Sequence, residues 1–419
     1  MTNRIPVIKP TILRSHMQAV LECLVSDKIG PGDLTRQLSR EVAARLDFVG
    51  GMVFADDSVA IKAALHSIGA VRSNRILISA LAPEIYITTA FQVGLVPVLV
   101  DVDPNTAKIS LDSLEKNMLK DPVALILTHP AGQIELRSDI REIKIPIIED
   151  ISSVCLGLLS GVDETNSRAP KQEKKSEGLK TQVNENFRVS SGDSLSKVIS
   201  DVVLLSMNGH GPIHTGAGAI ILTRKHGTRR ILSGYHQRTS SSELANMNAA
   251  LALSQFNDLE GYKHKCTLLR EIYNDALYHT RHSILSTEGG HNFSNLFPVV
   301  ILEGVREVQK YASKNFIETS LAFEKCALDF LQGYSSVTKN NKFLLQTNVV
   351  EDFEKFFDKS ASLPGVLKEQ LLDDKDIFDN SYGPWAADNL RKRCLLFPMY
   401  PNMPETAVEQ VAKVLATLP

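Results

Sequence analysis

Short apolar runs alternate with longer amphipathic stretches along the first part of the chain. RILISA, VPVLV and VALILT predict buried strands, whereas DSVAIKAALHS and EIYITTAFQ carry the spacing of helices. Gly69 and Gly94 close the two helical stretches, as glycines commonly do at helix C-termini. Because strands and helices alternate from Val53 to Asp150, the pattern predicts an α/β fold with a mainly parallel sheet and helices on both faces.

Three titratable side chains come directly after predicted strands. They are Asp57, His129 and Asp150. Ligands of open α/β sheets bind at the carboxyl ends of the strands. We therefore expect these three side chains to converge on one cleft.

The alternation stops at a polar, lysine-rich stretch at 161–197, which has no apolar period and predicts a disordered surface insertion. The sheet pattern resumes at Val202, and a second α+β pattern follows the long helix LANMNAALALSQF. The sequence thus predicts a large α/β domain at 1–260, with the insertion inside it, and a smaller C-terminal domain at 261–419.

Composition narrows the possible partners and compartments. The 419 residues have a formal net charge of -2, which does not favour a nucleic acid or an anionic membrane as partner. The chain has no apolar run near the ~20 residues of a membrane span and no signal-peptide pattern. Its five cysteines are odd in number and widely spaced, which predicts neither a disulfide framework nor a zinc site and favours the cytoplasm.

The stretch DVVLLSMNGHGPIHTGAGAIILTR, from Asp201 to Arg224, predicts two buried strands joined by a glycine-rich turn. His210 and His214 are four residues apart, a spacing that suits a metal only on a helix. Pro212 and the nearby glycines make a helix unfavourable, so we expect no metal site. GAGA is a weak motif that predicts a tight turn here.

Several segments together resemble the DegT/DnrJ/EryC1/StrS sugar aminotransferase family. The resemblance rests on their order and spacing, and they are KIGPGDLTRQLSREVA, VPVLVDVDPNT, ILTHPAGQ, IPIIEDISS, MNAALALSQFNDLE and CLLFPMYPNMPETAVEQVAKVL. It implies the fold type I architecture of pyridoxal 5′-phosphate (PLP) enzymes. It also implies nucleotide-linked keto sugars as substrates and a homodimer whose cofactor site forms between subunits.

The resemblance assigns roles to several retained positions. Asp150 falls on the carboxylate that pairs with the PLP pyridine nitrogen, and His129 on a histidine near the cofactor ring. A strand-end cap for Asp150 and a satisfied core histidine for His129 are the structural alternatives. Ser206 falls on a phosphate-binding serine, and Ser153 takes the place of a glutamine.

The cofactor lysine is missing from its expected position. Without a gap, Gly211 aligns with the lysine that holds PLP as an imine and moves the substrate's Cα proton. Some sugar dehydratases of this family replace the lysine by histidine. His210 is one position away, and histidine can carry protons near neutral pH but cannot form the stable imine.

The phosphate-binding turn is also altered, because Asp56-Asp57-Ser58 replaces the family's Ser-Gly-Thr. Ser58 can supply the hydroxyl, while Asp57 either places a carboxylate beside the phosphate or caps the helix itself, which we favour. The aromatic residue that stacks on the cofactor ring in the family aligns with Pro83 of this chain, and Tyr86 is the only nearby aromatic substitute. In the family, the neighbouring subunit usually supplies an asparagine, and that asparagine aligns with Ser241 of this chain.

Two hypotheses of different class follow for this aminotransferase-like chain. In the first, an enzyme of nucleotide-sugar or surface-polysaccharide biosynthesis holds PLP non-covalently over Asp150, with His210 and His129 in catalysis. In the second, a non-catalytic relative, or pseudoenzyme, keeps the fold as a dimer or binding partner. In both, ordinary transamination is not expected.

Overall fold

The computed structural model of the chain describes residues 4–135, 138–159, 198–208, 211–239, 242–285, 294–332 and 385–419. The predicted insertion at 161–197, His210 and Ser241 lie outside these residues. The described part of the chain forms a seven-stranded sheet, a four-stranded sheet and flanking helices.

The strands are β1 (Gly50–Phe54), β2 (Arg75–Ser79), β3 (Val96–Val100), β4 (Ala124–Thr128), β5 (Ile147–Asp150), β6 (Val202–Ser206), β7 (Ala219–Thr223), β8 (Ser283–Ile284), β9 (Phe297–Val300), β10 (Ser320–Leu321) and β11 (Cys394–Phe397). The helices are α1 (Arg14–Val25), α2 (Asp33–Arg45), α3 (Asp57–Ser67), α4 (Glu84–Gln92), α5 (Leu111–Met118), α6 (Ser138–Arg141), α7 (Cys155–Leu159), α8 (His226–Arg238), α9 (Asn246–Asn257), α10 (Leu259–Leu277), α11 (Val305–Lys314), α12 (Ala386–Arg393) and α13 (Glu405–Ala416).

The larger sheet is mainly parallel, which confirms the predicted fold class. Its order is β1-β7-β6-β5-β4-β2-β3. The pairs from β3 to β6 are parallel, whereas β7 is antiparallel to both β6 and β1. Two reversals cancel, so β1 points the same way as β6, and the carboxyl ends of β1, β4, β5 and β6 lie along one edge.

Helices cover both faces of this sheet, as the continuous apolar strands require. Along β2, Ile76 and Ile78 pack in a cluster that includes Ile61 of α3. Leu77 points to the opposite face, in a cluster with Leu114 of α5. This alternation buries every residue of β2 after Arg75.

The smaller sheet has the order β10-β11-β9-β8 and is antiparallel throughout. Its core joins Phe297 of β9 and Tyr273 of α10 to Val411 of α13. Ile5 pairs with Ile317 and packs in the same core, which ties the start of the described chain to this sheet.

Two further features bear on the expectations from sequence. All five cysteines are free and buried. Within the described ranges, no helix is both long enough and apolar enough to cross a membrane.

Candidate functional site

A cavity of about 300 Å³ opens at the carboxyl ends of β4, β5 and β6. It brings together Asp57, His129 and Asp150, and its wall also includes Ser153, Ser206 and Gly211. Leu296, Phe323 and Leu396 close it from the side of the smaller sheet. The structure does not bring Ser58 into this wall, because the Ser58 hydroxyl lies 3.4 Å from the Gln92 side-chain oxygen.

Asp150 ends β5 and is held by three donors. Its Oδ1 accepts the Ser152 N–H at 2.9 Å and the Ser152 hydroxyl at 2.5 Å. The Tyr86 hydroxyl also donates to this carboxylate, and Tyr86 is 2% exposed. Burial, followed by the charge and the hydrogen bond of Asp150, raises the pKa of Tyr86 well above its ordinary value. Asp150, Tyr86 and Ser152 form what we call the ring end of the cavity.

Ser152 links the ends of two neighbouring strands. While its hydroxyl donates to Asp150, its oxygen accepts the Ser206 N–H at 2.8 Å. Sequence reasoning missed this residue. The available signal was the aspartate two positions earlier, because an aspartate side chain commonly accepts from the backbone two residues on.

His129 follows β4, and both of its ring nitrogens are engaged with the protein. Nδ1 accepts the Glu135 N–H at 3.1 Å, so this nitrogen carries no proton. Nε2 therefore donates to Glu149 Oε1 at 3.0 Å, and both side chains are fully buried. The histidine offers the cavity its ring surface but no free nitrogen.

Glu149 and Ser153 support this histidine from β5 and the turn after it. The second oxygen of Glu149 accepts the N–H groups of Ile199 and Ser200 at 2.9 and 3.0 Å. The Ser153 hydroxyl donates to the His129 carbonyl at 2.5 Å. Glu149 was not anticipated from sequence, since a buried glutamate in an apolar strand has no distinctive pattern.

The N-terminus of α3 is capped by Asp56. The Asp56 side chain accepts the N–H groups of Ser58 and Val59 at 2.8 and 3.2 Å. The expectation that Asp57 caps this helix is therefore wrong. Asp56 has the extended backbone of a capping residue, φ -138° and ψ 138°, whereas Asp57 is the first helical residue and its side chain points elsewhere.

Asp57 instead accepts from two side chains, one at the end of β6 and one in the turn that follows it. Its Oδ2 accepts the Ser206 hydroxyl at 2.9 Å and the Asn208 amide at 3.1 Å. Asp57 Oδ1 and Asn208 Oδ1 are buried acceptors that find no hydrogen-bond partner in the described part of the chain. Asp57, Ser206 and Asn208 form what we call the α3 end of the cavity. Asn208 was missed because an asparagine in a glycine-rich turn reads as a turn residue.

Burial raises the pKa of the Asp57 carboxyl. The hydrogen bonds from Asn208 and Ser206 oppose this shift, while the charges of Asp150 and Asp56 add to it. The two aspartates in the wall thus feel each other's charge. Among the described residues, the cavity wall contains no lysine or arginine to offset them.

The ring end and the α3 end differ in how they suit PLP. Asp150 offers a carboxylate to a pyridinium nitrogen. At the α3 end, Asp56 occupies two N–H groups and Asp57 occupies the hydroxyl and amide donors that a phosphate needs. The carboxylate of Asp57 would also repel a phosphate bound beside it. Two unit negative charges about 4 Å apart repel by about 4 kcal/mol at an effective dielectric of about 20. The residues present fit the cofactor's ring and do not fit its phosphate.

Gly211 forms part of the wall and has ordinary space around it. A Cβ added at Gly211 would lie 3.5 Å from the Ser152 carbonyl oxygen and 3.7 Å from that of Ile213, which are normal contacts. Its backbone does not have a positive φ. Glycine is therefore not required here by local geometry, and a longer side chain can start from this position.

The comparisons with known proteins agree with the resemblance drawn from sequence. Residues 10–155 match the model of the DegT/DnrJ/EryC1/StrS aminotransferase family. No curated protein matches the chain.

Three solved structures share the fold over nearly their whole length. The PMP form of Spr1654 from Streptococcus pneumoniae, assigned as a sugar aminotransferase, has a TM-score of 0.71 at 14% identity and covers 99% of this chain and 97% of its own. E. coli GDP-4-keto-6-deoxy-D-mannose-3-dehydratase with bound hydrated PLP has a TM-score of 0.70 at 15% identity, with coverages of 99% and 100%. Helicobacter pylori PseC, an aminotransferase involved in pseudoaminic acid biosynthesis, has a TM-score of 0.69 at 14% identity, with 98% of each chain covered. At these identities the likeness shows the fold alone.

Proposed function

We propose that this chain, whose residues 10–155 match the model of the DegT/DnrJ/EryC1/StrS aminotransferase family, is a sugar aminotransferase-like member of that family that does not transaminate. It binds a pyridoxal-type ring non-covalently over Asp150 and serves nucleotide-sugar or surface-polysaccharide biosynthesis in the cytoplasm. The sugar-processing neighbours, two of them solved in PMP- and PLP-containing forms, support this class of ligand and pathway. The free, buried state of the five cysteines supports the compartment.

The observation that carries the proposal is the absence of an amine where the chemistry needs one. Gly211 occupies the wall position that the sequence alignment gives to the cofactor lysine, and among the described residues lining the cavity none is a lysine. A glycine can neither hold the aldehyde carbon of the cofactor nor carry a proton. His129 cannot take over the proton transfer through a free ring nitrogen, because both nitrogens are bonded to the protein.

The ring end supplies the residues that would hold the ligand. Asp150 would pair with the ring nitrogen, while Tyr86 and Ser152 fix the carboxylate in place. The bound ring, when protonated, would supply an electron sink to a substrate attached to it. The chain's own contribution is then binding, orientation and the exclusion of water by the apolar residues of the second sheet.

A homodimer fits an exposed apolar stripe on α1. Met17, Leu21 and Val25, four residues apart, are 55%, 51% and 75% exposed. Side chains at this spacing share one helix face, and contiguous exposed apolar surface marks interaction sites. We propose a second copy of this chain as the partner at this face.

A second candidate function is a dehydratase-type reaction with His210 as proton carrier. It is motivated by the position of His210, which the sequence places directly before Gly211, and the E. coli dehydratase with bound hydrated PLP shares the fold. His210 lies outside the described residues, so the structure gives no geometry for this role. A His210→Ala variant separates the two candidates, because only the dehydratase reaction would depend on that imidazole.

Near-ultraviolet difference spectroscopy tests the proposed function. Purified wild-type protein titrated with pyridoxal should perturb the ligand spectrum, and Asp150→Asn should weaken binding at least about tenfold, which is about 1.4 kcal/mol. Asp112→Asn, an exposed aspartate on α5, is the matched charge control and should leave binding unchanged. L-glutamate added to the loaded protein should produce no amino-group transfer. Transfer at an enzymatic rate, or unchanged binding in Asp150→Asn, would contradict the proposal.

A further inference from the structure

Four donors around the start of α3 bond to aspartates of the chain itself. The N–H groups of Ser58 and Val59 face Asp56. The Ser206 hydroxyl and the Asn208 amide face Asp57. A helix N-terminus with a nearby hydroxyl and amide is the donor set of an anion site. Here the chain supplies its own anions to it.

The polar atoms left over at this end are acceptors. Among the described residues, Asp57 Oδ1 and Asn208 Oδ1 have no hydrogen-bond partner although both atoms are buried. Leaving a buried acceptor unpaired is unfavourable, so these atoms suit a ligand that brings donors. A phosphate brings only charge and further acceptor oxygens.

We propose that this pocket selects an unphosphorylated ring ligand, one whose arm toward Asp57 donates hydrogen bonds. The inference rests on the proposed function, because it takes the ring to lie over Asp150. It adds the chemistry of the other arm: a hydroxymethyl or an aminomethyl group is accepted, and a phosphate ester is rejected. Asp57 is the specificity-determining residue, because its carboxylate occupies the donors that a phosphate would otherwise use.

Pyridoxal and PLP differ in composition only by the phosphate, and pyridoxine and pyridoxine 5′-phosphate, which have no aldehyde to form an internal hemiacetal, provide a second pair of probes with the same expected order. Titrated into the 419-residue protein by calorimetry near pH 7.5, about 1.5 units above the second phosphate pKa of about 6, pyridoxal should bind at least about tenfold more tightly than PLP. Asp57→Asn keeps an acceptor for Ser206 and Asn208 while removing the charge. It should raise PLP affinity about tenfold and lower pyridoxal affinity, because the amide nitrogen replaces the acceptor oxygen offered to the donor of pyridoxal, so the preference for pyridoxal should be lost.

Asp56→Asn is the control for a general charge effect. Asparagine is as good a helix cap as aspartate, so the α3 N–H groups stay occupied while the same charge is removed one residue away. PLP affinity should rise less in Asp56→Asn than in Asp57→Asn. Equal gains would assign the discrimination to the overall field and overturn the role given to Asp57. Asp57→Ser, with a smaller side chain, provides a second variant should Asp57→Asn fold poorly.

The outcomes separate this inference from the function it rests on. PLP binding as tightly as pyridoxal, or more tightly, in the wild type overturns the selection against phosphate and leaves the proposed ring site standing. Binding of neither probe removes the ring site itself. Pyridoxal binding that survives Asp150→Asn shows a ligand seated elsewhere and also contradicts the inference.

Discussion

The two ends of one cavity follow different chemistry. At the ring end, the Asp150 carboxylate accepts from Ser152 and Tyr86 and still faces the cavity. At the α3 end, the carboxylates of Asp56 and Asp57 accept hydrogen bonds from two backbone N–H groups, a hydroxyl and an amide. The first end keeps a carboxylate facing the cavity, whereas at the second end the donors bond to carboxylates of the chain itself.

This difference teaches that a scaffold and its ligand preference are separable. The strands that build both ends have the same apolar character and the same parallel order. Fold therefore does not determine which group the cavity accepts. In the proposal above, a few side chains at the strand ends do.

The largest expected effect comes from adding an amine to the cavity wall at position 211. Gly211→Lys should acquire a covalent adduct with pyridoxal that borohydride fixes, because the added Cβ meets only ordinary contacts. Peptide mass spectrometry would locate the adduct at residue 211. Gly211→Met, which is similar in length and has no amine, is the control. A well-folded Gly211→Lys protein that forms no adduct would show that this position does not face the ring site.

The next largest expected effect is a loss of stability on substitution of Glu149, which accepts a hydrogen bond from His129 beside the ring end. Glu149→Ala leaves the His129 Nε2–H and the N–H groups of Ile199 and Ser200 without their acceptor. Each unpaired buried donor costs about 1–3 kcal/mol, so the free energy of unfolding should fall by at least about 3 kcal/mol. Urea denaturation followed by circular dichroism measures it. Glu149→Gln, which keeps an acceptor oxygen, should lose less, and the exposed Glu115→Ala should lose almost nothing. Equal stability of Glu149→Ala and Glu115→Ala would refute this account of the buried network.

The smallest effect is a pH dependence at the α3 end. Burial raises the pKa of Asp57 above its ordinary 3.8, so the folded state holds this proton more tightly than the unfolded chain does. The resulting stabilisation is complete below 3.8 and is lost as the pH rises through the folded-state pKa. The titratable groups that act on Asp57 are Asp56 and Asp150, and Tyr86 also feels its charge.

Asp57→Asn isolates that titration. Melting temperatures of wild type and Asp57→Asn, compared from about pH 4 to about pH 7, should diverge in favour of the variant as the pH rises. The control Asp112→Asn removes an exposed charge on α5 and should follow the wild type more closely. Parallel curves for wild type and Asp57→Asn would contradict the pKa shift.

Sequence alone predicted the elements that build the cavity, for physical reasons. RILISA and VPVLV are apolar enough to require burial on both faces, and they became β2 and β3. Gly69 and Gly94 both have φ of +81°, a conformation that glycine adopts readily, and they follow the helices they were expected to end.

The side-chain connections inside the cavity were less accessible. Asp56 and Asp57 are equally good caps by type, and only the backbone angles at α3 decide between them. The bond from Asn208 to Asp57 spans 151 positions and no local pattern signals it. Phe323 and Leu396 reach the cavity through the pairing of a second sheet, which lies far along the chain.

The central claim is that no amine of this chain bonds to a pyridoxal-type ligand in the cavity. Wild-type protein incubated with stoichiometric PLP or pyridoxal, reduced with borohydride and digested should yield no saturable adduct on any single lysine by mass spectrometry. A lysine labelled completely at one equivalent, and released from labelling by Asp150→Asn, would contradict it.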